Sequence, residues 1–271
     1  MIPKTIHYCW ISGDPFPEKI QRCVDSWHRL LPDYEFVLWD AQRVASIGSR
    51  YVDEAITYKK YAFAADFIRF YALYTYGGIY LDSDVEVLKP FDDLLGLKYF
   101  IGKENSWNAW EPAILGAESG LPWMKDMLEW WRMGKKPFID VWGRPQMQVL
   151  PWVCSRQLKN YTIKDCNLIS EWSWSDDYIC RFPAEWFSPK SWETLELKVT
   201  DNTYCIHHFA ATWNASMPKD LKLNPLQSCL KSVRGFLSYI KHDLILKNNE
   251  CTSPYRHDPS PQRGMGAESL P

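Results

Sequence analysis

The chain has 271 residues, the length of one large domain or two small ones. Its formal net charge is −2 at pH 7, which argues against a general nucleic-acid-binding protein because such proteins usually carry a strong basic excess. Its 15 tryptophans are expected mainly in the core, although indole rings also form flat platforms for sugars and bases.

The cysteines and the N-terminus point to a reducing compartment. None of the eight cysteines lies in a Cys-x-x-Cys pair, which argues against a zinc site. We see no basic stretch followed by an apolar run at the N-terminus and no run of about 18 apolar residues, so we expect neither a secretory signal nor a transmembrane helix. The sequence therefore predicts a cytoplasmic protein with reduced thiols.

The N-terminal residues alternate between strand and helix patterns. Residues 5–11 and 34–39 are short, β-prone apolar runs, and apolar residues at helical spacing predict a helix over 17–31 between them. A strand, a helix and a second strand in this order favour a parallel sheet with right-handed crossovers.

A long apolar helix is predicted over residues 60–76, followed by a strand at 79–81 that ends in Asp82 and Asp84. A strand has a period of two, so both carboxylates lie on one face. Two converging carboxylates repel each other unless a cation lies between them. Mn²⁺ or Mg²⁺ is the natural partner, and its remaining positions suit a diphosphate.

Asp66 and Arg69 are three residues apart on the predicted helix and therefore share a face. One interpretation is a surface ion pair worth a few tenths of a kcal/mol. The other is a binding function, because a charged pair in an otherwise apolar helix needs partners, and the hydroxyls of a ribose or hexose could supply them. The residues alone leave both interpretations open.

Later segments give weaker patterns. Strands are predicted at 99–102, 113–116 and 204–209, with a helix over 122–133, while residues 166–195 are dense in tryptophan and proline and show no regular pattern.

The C-terminal part has a different composition. Residues 219–247 form a basic amphipathic segment, which is either a helix packed on the domain or an interfacial helix that contacts anionic lipid at the inner face of the plasma membrane. We predict a catalytic domain over 1–215, a basic helical segment over 216–250 and a disordered tail over 251–271.

Several strings together resemble glycosyltransferase family 32. Bacterial members of that family are linked to capsular polysaccharide synthesis, so the resemblance implies a role in the synthesis of a surface or capsular polysaccharide. AADFIRFYALYTYGGIYLDSDV, at 64–85, resembles the sugar-binding D-x-D region of that family and, more distantly, the glucosyltransferase domains of large clostridial toxins. IPKTIHYCWISG at the N-terminus and YEFVLWD at 34–40 look like the first two strands of the family. HHFAATW, at 207–213, resembles its C-terminal His-His segment.

The resemblance implies an α/β fold of the GT-A type, a nucleotide-diphospho-sugar transferase fold with a mainly parallel central sheet flanked by helices. It also implies metal-dependent transfer of a hexose with retention of configuration. By this resemblance Trp10 stacks on the nucleotide base, and Asp66 and Arg69 contact the ribose and donor sugar. Tyr80, in the strand that approaches the metal, is expected to bind the substrate.

The remaining site residues also follow from the resemblance or from position. Asp82 and Asp84 match the D-x-D pair, and either His207 or His208 completes the metal or diphosphate shell, since neighbours in a strand face opposite sides. Trp213 closes over the donor.

Asn108 and Glu111 precede the strand at 113–116 and are predicted to face the reacting sugar. We see no residue that must act as a nucleophile, so we favour front-side attack by the acceptor.

The expected donor is a UDP-hexose rather than GDP-mannose, and the expected acceptor is a glycan or a lipid-linked glycan. Two other functions remain open at this point. In a haloacid-dehalogenase-type phosphatase Asp82 would be the nucleophile, with Asp176 and Asp177 as the acidic pair. The second alternative, motivated by the tryptophan content, is a non-catalytic sugar-binding module.

Overall fold

The computed structural model describes residues 1–105, 109–141 and 144–210. These residues belong to a first unit, Met1–Ala215. Asn108, Trp213, the basic segment at 219–247 and the tail at 251–271 lie outside the described residues, so the predictions for them and the three-part domain division stay predictions.

The described residues form nine strands and seven α-helices. The strands are β1 Thr5–Cys9, β2 Glu35–Trp39, β3 Gly78–Leu81, β4 Val85–Val87, β5 Tyr99–Lys103, β6 Trp110–Ala117, β7 Thr162–Asp165, β8 Tyr178–Arg181 and β9 Cys205–His207. The helices are α1 Glu18–Leu30, α2 Ala41–Ala45, α3 Arg50–Thr57, α4 Tyr61–Tyr76, α5 Pro122–Glu129, α6 Leu150–Gln157 and α7 Ala184–Phe187.

Five strands form the central sheet in the order β2-β1-β3-β6-β5. β1 pairs in parallel with both β2 and β3, whereas β6 is antiparallel to β3 and β5. The predicted α/β fold is confirmed, with parallel strands on one side of β3 and antiparallel strands on the other. The carboxyl ends of β1 and β3 therefore lie side by side, where Trp10 and Asp82 follow them.

β3 is the central strand of the five, and all four of its residues are buried. Its side chains alternate between two cores: Tyr80 packs with α4 residues such as Phe70, while Ile79 and Leu81 join the core around Trp27. This alternation follows from the period of a strand, and it turns Tyr80 toward the helix that carries Asp66 and Arg69.

A separate two-stranded pair brings the end of the described chain back to the D-x-D region. β4 is antiparallel to β9, and the register places Val85 opposite His207. His207 therefore lies beside the residue that follows Asp84.

The segment 166–195 is more regular than predicted. It contains β8, which pairs in parallel with β7, and the short helix α7. Both elements have only four residues, too few to show a periodic pattern. The helix predicted over 122–133 ends at Glu129, because Arg132 and Met133 adopt positive φ angles of 48° and 52°.

Two further observations concern the described residues alone. All cysteines among them are free thiols, as expected. None of the helices in this part of the chain combines the length and the apolar composition that crossing a bilayer requires.

Gly78 starts β3 at a close approach to β1, and its φ of +108° favours glycine. A Cβ at this position would lie 2.6 Å from the carbonyl oxygen of Thr5. We therefore expect Gly78→Ala to lower the free energy of unfolding by about 3 kcal/mol, measured by urea denaturation. Gly96→Ala is the control, because a Cβ there has no neighbour within 4 Å. Equal urea midpoints for the two variants would contradict this description of β3.

Candidate active site

Arg69 is the centre of the site. Its side chain is buried on α4, where Nη1 donates to the carbonyl oxygen of Pro112 at 2.6 Å and Nη2 donates to Asp66 Oδ1 at 2.9 Å. The same two nitrogens contact the carboxylate of Asp82 at 3.3 and 3.2 Å. One guanidinium thus links α4 to the end of β3 and to β6.

The surface-pair interpretation of Asp66 and Arg69 is wrong. The Arg69 side chain is 5% exposed and that of Asp66 14% exposed, so the pair lies inside the protein. The Arg69 Nε has no hydrogen-bond partner among the described residues. A buried polar atom of this kind calls for a further partner, which is consistent with a ligand site.

The side chain of Tyr80 contacts both Asp82 and Arg69. Its hydroxyl donates to Asp82 Oδ1 at 3.1 Å, and its ring lies under the Arg69 guanidinium, 4.8 Å from ring centroid to Cζ. Tyr80 is only 1% exposed. Direct contact between its side chain and a substrate, as predicted, does not fit this burial, and we assign it the positioning of Asp82.

Asp82, Asp84 and His207 form a candidate metal centre. One ligand atom from each lies within 4.8 Å of the others. Asp82 follows β3, Asp84 precedes β4 and His207 ends β9. The pairing of β4 with β9 therefore brings the three residues together. The Oδ1 atom of Asp84 is 3.5 Å from the Nε2 atom of His207. Two carboxylates and an imidazole suit a divalent cation, so these residues fit the predicted metal.

His208 is not part of this cluster. Its Nε2 atom lies 2.8 Å from Glu86 Oε2, and its backbone N–H donates to the carbonyl oxygen of Asp84. Neighbouring side chains at the end of a strand face opposite sides. Of the two histidines that the sequence left open, His207 therefore faces the site and the metal prediction for His208 is wrong.

Glu111 lies against His207 rather than facing a sugar. It is 3% exposed, and its two carboxylate oxygens lie 3.3 and 3.4 Å from the Nδ1 atom of His207. A carboxylate that accepts the Nδ1 proton fixes the ring and turns Nε2 toward Asp84. The sequence carried one signal for this role, because Glu111 is a charged residue next to the apolar strand predicted at 113–116. A carboxylate buried beside such a strand needs a partner.

Neighbouring charges shift the pKa values of Asp84 and His207 in the candidate metal centre. Burial opposes ionisation of Asp84, but His207 and the backbone N–H of Ala210 hold its pKa at about 2. Burial would lower the pKa of His207, yet Glu111 and Asp84 raise it well above its usual range. A divalent cation would displace that proton, because only a neutral imidazole binds a metal.

The carboxylates of Asp66 and Asp82 share one cation, the guanidinium of Arg69. Burial raises the pKa of Asp66 to about 7 despite the neighbouring Arg69, and burial also raises the pKa of Asp82. A cation bound beside Asp82 would favour the ionised form of its carboxylate and so oppose this effect of burial.

Trp10 lies at the carboxyl end of β1. Its indole N–H donates to the carbonyl oxygen of Asp14, and its ring packs edge-on against Phe16 with centroids 4.8 Å apart. The ring is half-buried, so one part of it stays accessible. Stacking on a nucleotide base stays a prediction.

The phosphatase alternative is not supported by the geometry. Asp176 and Asp177 line a cavity with Asp126 and Tyr161, and Asp82 is not among its lining residues. The carboxylate of Asp82 instead lies against Arg69 and Tyr80.

Residues 17–101 match the family described as the glycosyltransferase sugar-binding region containing a DXD motif. This region is similar to the DXD glycosyltransferases. The match includes Asp66, Arg69, Asp82 and Asp84, so the predicted family resemblance is confirmed where these residues lie.

Two curated relatives each resemble slightly less than half of the chain. Inositol phosphoceramide mannosyltransferase 3 of Schizosaccharomyces pombe is 34% identical over 127 residues, which cover 45% of this chain and 35% of that protein. The initiation-specific alpha-1,6-mannosyltransferase of Candida albicans is 28% identical over 139 residues, which cover 48% of this chain and 35% of that protein. The chain thus spans about a third of the length of these relatives.

Among solved structures, the PaToxG glycosyltransferase is similar to 58% of this chain and 68% of its own, with 22% identity and a TM-score of 0.42.

The contact between Glu111 and His207 makes a testable prediction. Glu111→Gln keeps the shape of the side chain but removes the charge that holds the Nδ1 proton, so Mn²⁺ should bind about 10- to 100-fold more weakly. The loss can be measured by titration with Mn²⁺ monitored by electron paramagnetic resonance.

Glu86→Gln is the matched control, because it makes the same change beside His208. If both variants weakened Mn²⁺ binding equally, the assignment of His207 rather than His208 would fail.

Proposed function

We propose that the protein is a metal-dependent glycosyltransferase that moves a hexose from a nucleotide-diphosphate sugar to a glycan or lipid-linked acceptor. The proposal rests on one observation: Asp82, Asp84 and His207 converge next to the buried Asp66–Arg69 pair. All of these residues except His207 lie in the region that matches DXD glycosyltransferases. A non-catalytic sugar-binding module would not need this cluster of charges.

Asp82, Asp84 and His207 would hold the cation. Bound there, a divalent ion would neutralise the diphosphate as it leaves the sugar. Of the two predicted ions we favour Mn²⁺, because Mg²⁺ is usually bound through oxygen atoms and water, whereas His207 offers a nitrogen.

Asp66 and Arg69 would orient the donor. The guanidinium is fixed by Asp66, Asp82 and the carbonyl oxygen of Pro112, so a hydroxyl group that binds the pair meets preorganised groups. Asp66 is partly exposed, and its carboxylate can accept hydrogen bonds from sugar hydroxyls.

We favour retention of configuration by front-side attack. A double displacement needs a carboxylate nucleophile on the face of the sugar opposite the departing diphosphate. The carboxylate of Asp82 is engaged by Arg69 and Tyr80, and that of Glu111 by His207 and the backbone N–H of Ala113. These contacts give Asp82 a role beside the cation and Arg69, and Glu111 a role beside His207, which supports the front-side route.

The predicted preference for UDP-hexose is not confirmed, and we now place mannose first. Both curated relatives described above are named as mannosyltransferases, which supports GDP-mannose as the first donor to test. The predicted role in capsule synthesis is likewise not confirmed. The relative from Schizosaccharomyces pombe is named for inositol phosphoceramide, which supports a lipid acceptor. A cytoplasmic location at the inner face of the plasma membrane stays a prediction.

A screen of GDP-mannose and UDP-hexoses tests the proposal. We expect Mn²⁺-dependent hydrolysis of one donor in the absence of acceptor, with chelator abolishing it. Asp84→Asn should lower the rate by about 100-fold or more, since it removes a charge from the metal centre.

His208→Ala is the control for that substitution, because His208 faces Glu86 and not the cluster. Hydrolysis that persists at the wild-type rate in Asp84→Asn, or in chelator, would contradict the proposal.

A further inference from the structure

A second surface combines exposed apolar side chains with cations. It consists of residues 132–141 and 144–149, which lie between α5 and α6 and which we call the cationic lobe. Four of its apolar side chains are exposed to solvent: Met133 by 42%, Met147 by 47%, Val149 by 61% and Val141 by 89%. So many exposed apolar side chains in a short segment are unusual for a free surface.

The lobe is basic, although the chain as a whole is acidic. Its cations are Arg132, Lys135, Lys136 and Arg144, and its single carboxylate is Asp140. The described part of the lobe thus has a net charge of +3, whereas the whole chain has −2.

Two of these cations are crowded together. Burial, together with Arg132 and Arg156, lowers the pKa of Lys136 to about 8. Its ammonium group lies 3.9 Å from the centroid of the Trp130 ring. An anion placed here would relieve the repulsion between Lys136 and Arg132.

The lobe is held firmly on the domain. The carbonyl oxygen of Gly134 accepts hydrogen bonds from the backbone N–H of Tyr51 and the hydroxyl of Ser49, both at 3.1 Å. Phe138 is fully buried, and its backbone N–H donates to Glu54 Oε2 at 2.8 Å. The exposed side chains therefore project from an anchored base rather than from a loose loop.

The backbone of the lobe is strained where it presents its first two side chains. Arg132 and Met133 have φ angles of 48° and 52°, in the left-handed region that residues other than glycine rarely adopt. Strained conformations of this kind are retained mainly where they serve a function. Here they expose a cation and an apolar side chain next to each other.

We propose that the cationic lobe docks on the surface of an anionic lipid bilayer. Its valine and methionine side chains would enter the boundary between headgroups and acyl chains, and its cations would lie among the lipid phosphates. Nucleic acid fits less well, because exposed aliphatic side chains such as Val141 and Val149 offer no stacking surface for bases. This surface is distinct from the basic segment at 219–247.

The lobe is coupled to the candidate active site through α4. Phe138 packs against Phe63 with ring centroids 5.9 Å apart, and Phe63 lies on α4 shortly before Asp66. Docking would therefore hold the start of α4 near the bilayer, where a lipid acceptor is available. This consequence rests on the proposed function, whereas docking itself does not.

Binding of the full chain to vesicles tests the proposal. We expect binding to vesicles of equal parts phosphatidylcholine and phosphatidylglycerol and much weaker binding to phosphatidylcholine alone. Each cation near such a surface contributes a factor of about five, so Arg132→Gln with Lys135→Gln should lower the partition coefficient about 25-fold. Val141→Asp with Val149→Asp should lower it further.

Lys19→Gln with Arg29→Gln is the matched control, because it removes two exposed cations from α1. Binding should then fall only by the small amount due to overall charge. Donor hydrolysis should be unchanged in all variants, which separates loss of docking from failure of the proposed function.

Hydrogen exchange with and without vesicles locates the contact. We expect slower exchange over residues 132–149 on anionic vesicles. Lobe variants that bind as tightly as wild type, or vesicle protection confined to residues 219–247, would overturn the proposal, as would a full chain that binds neither type of vesicle.

Discussion

The buried guanidinium of Arg69 is the interaction on which the site depends. It joins α4, the end of β3 and β6 through Asp66, Asp82 and the carbonyl oxygen of Pro112. A buried cation is tolerated only when it is paired and hydrogen-bonded, so these three elements must keep their relative positions for Arg69 to stay inside. The D-x-D carboxylates are held in place by the same contacts, because Asp82 lies between Arg69 and Tyr80.

A second contact completes the site from the other end of the described chain. β9 pairs with β4, and Glu111 on β6 meets the imidazole of His207. The central sheet therefore supplies one carboxylate to Arg69 and another to His207. The candidate metal centre lies between these two supports: Asp82 and Asp84 are in the short turn between β3 and β4, and His207 ends β9. Preorganisation of this kind reduces the cost of arranging charges when a diphosphate leaves.

The sequence predicted the local part of this site and missed the part that depends on distant contacts. Asp66 and Arg69 lie on one helix, whose period indicates that their side chains share a face. Asp82 and Asp84 lie in the turn between β3 and β4 rather than on a strand as expected, but they are close in sequence to the end of β3. Glu111 and His207 are 96 residues apart, so their contact depends on strand register that no local pattern encodes.

The same limit applied elsewhere in the fold. Alternation showed that only one of His207 and His208 could face the site, but the choice required the pairing with β4. The short elements β8 and α7 were missed because tertiary packing, and not periodicity, forms them. Tyr80 was predicted to bind the substrate, and its burial became visible only with α4 packed against it.

In the proposed site, the catalytic cation is bound by Asp82, Asp84 and His207. Anomalous diffraction at the manganese edge, from crystals grown with Mn²⁺ and a nucleoside diphosphate, tests it most directly. We expect one anomalous peak. It should lie within about 2.5 Å of the Nε2 atom of His207 and within the same distance of both carboxylates, or of a water molecule that bridges to them. A peak bound by His208, or a nucleotide-bound crystal without a peak between Asp82 and Asp84, would contradict it.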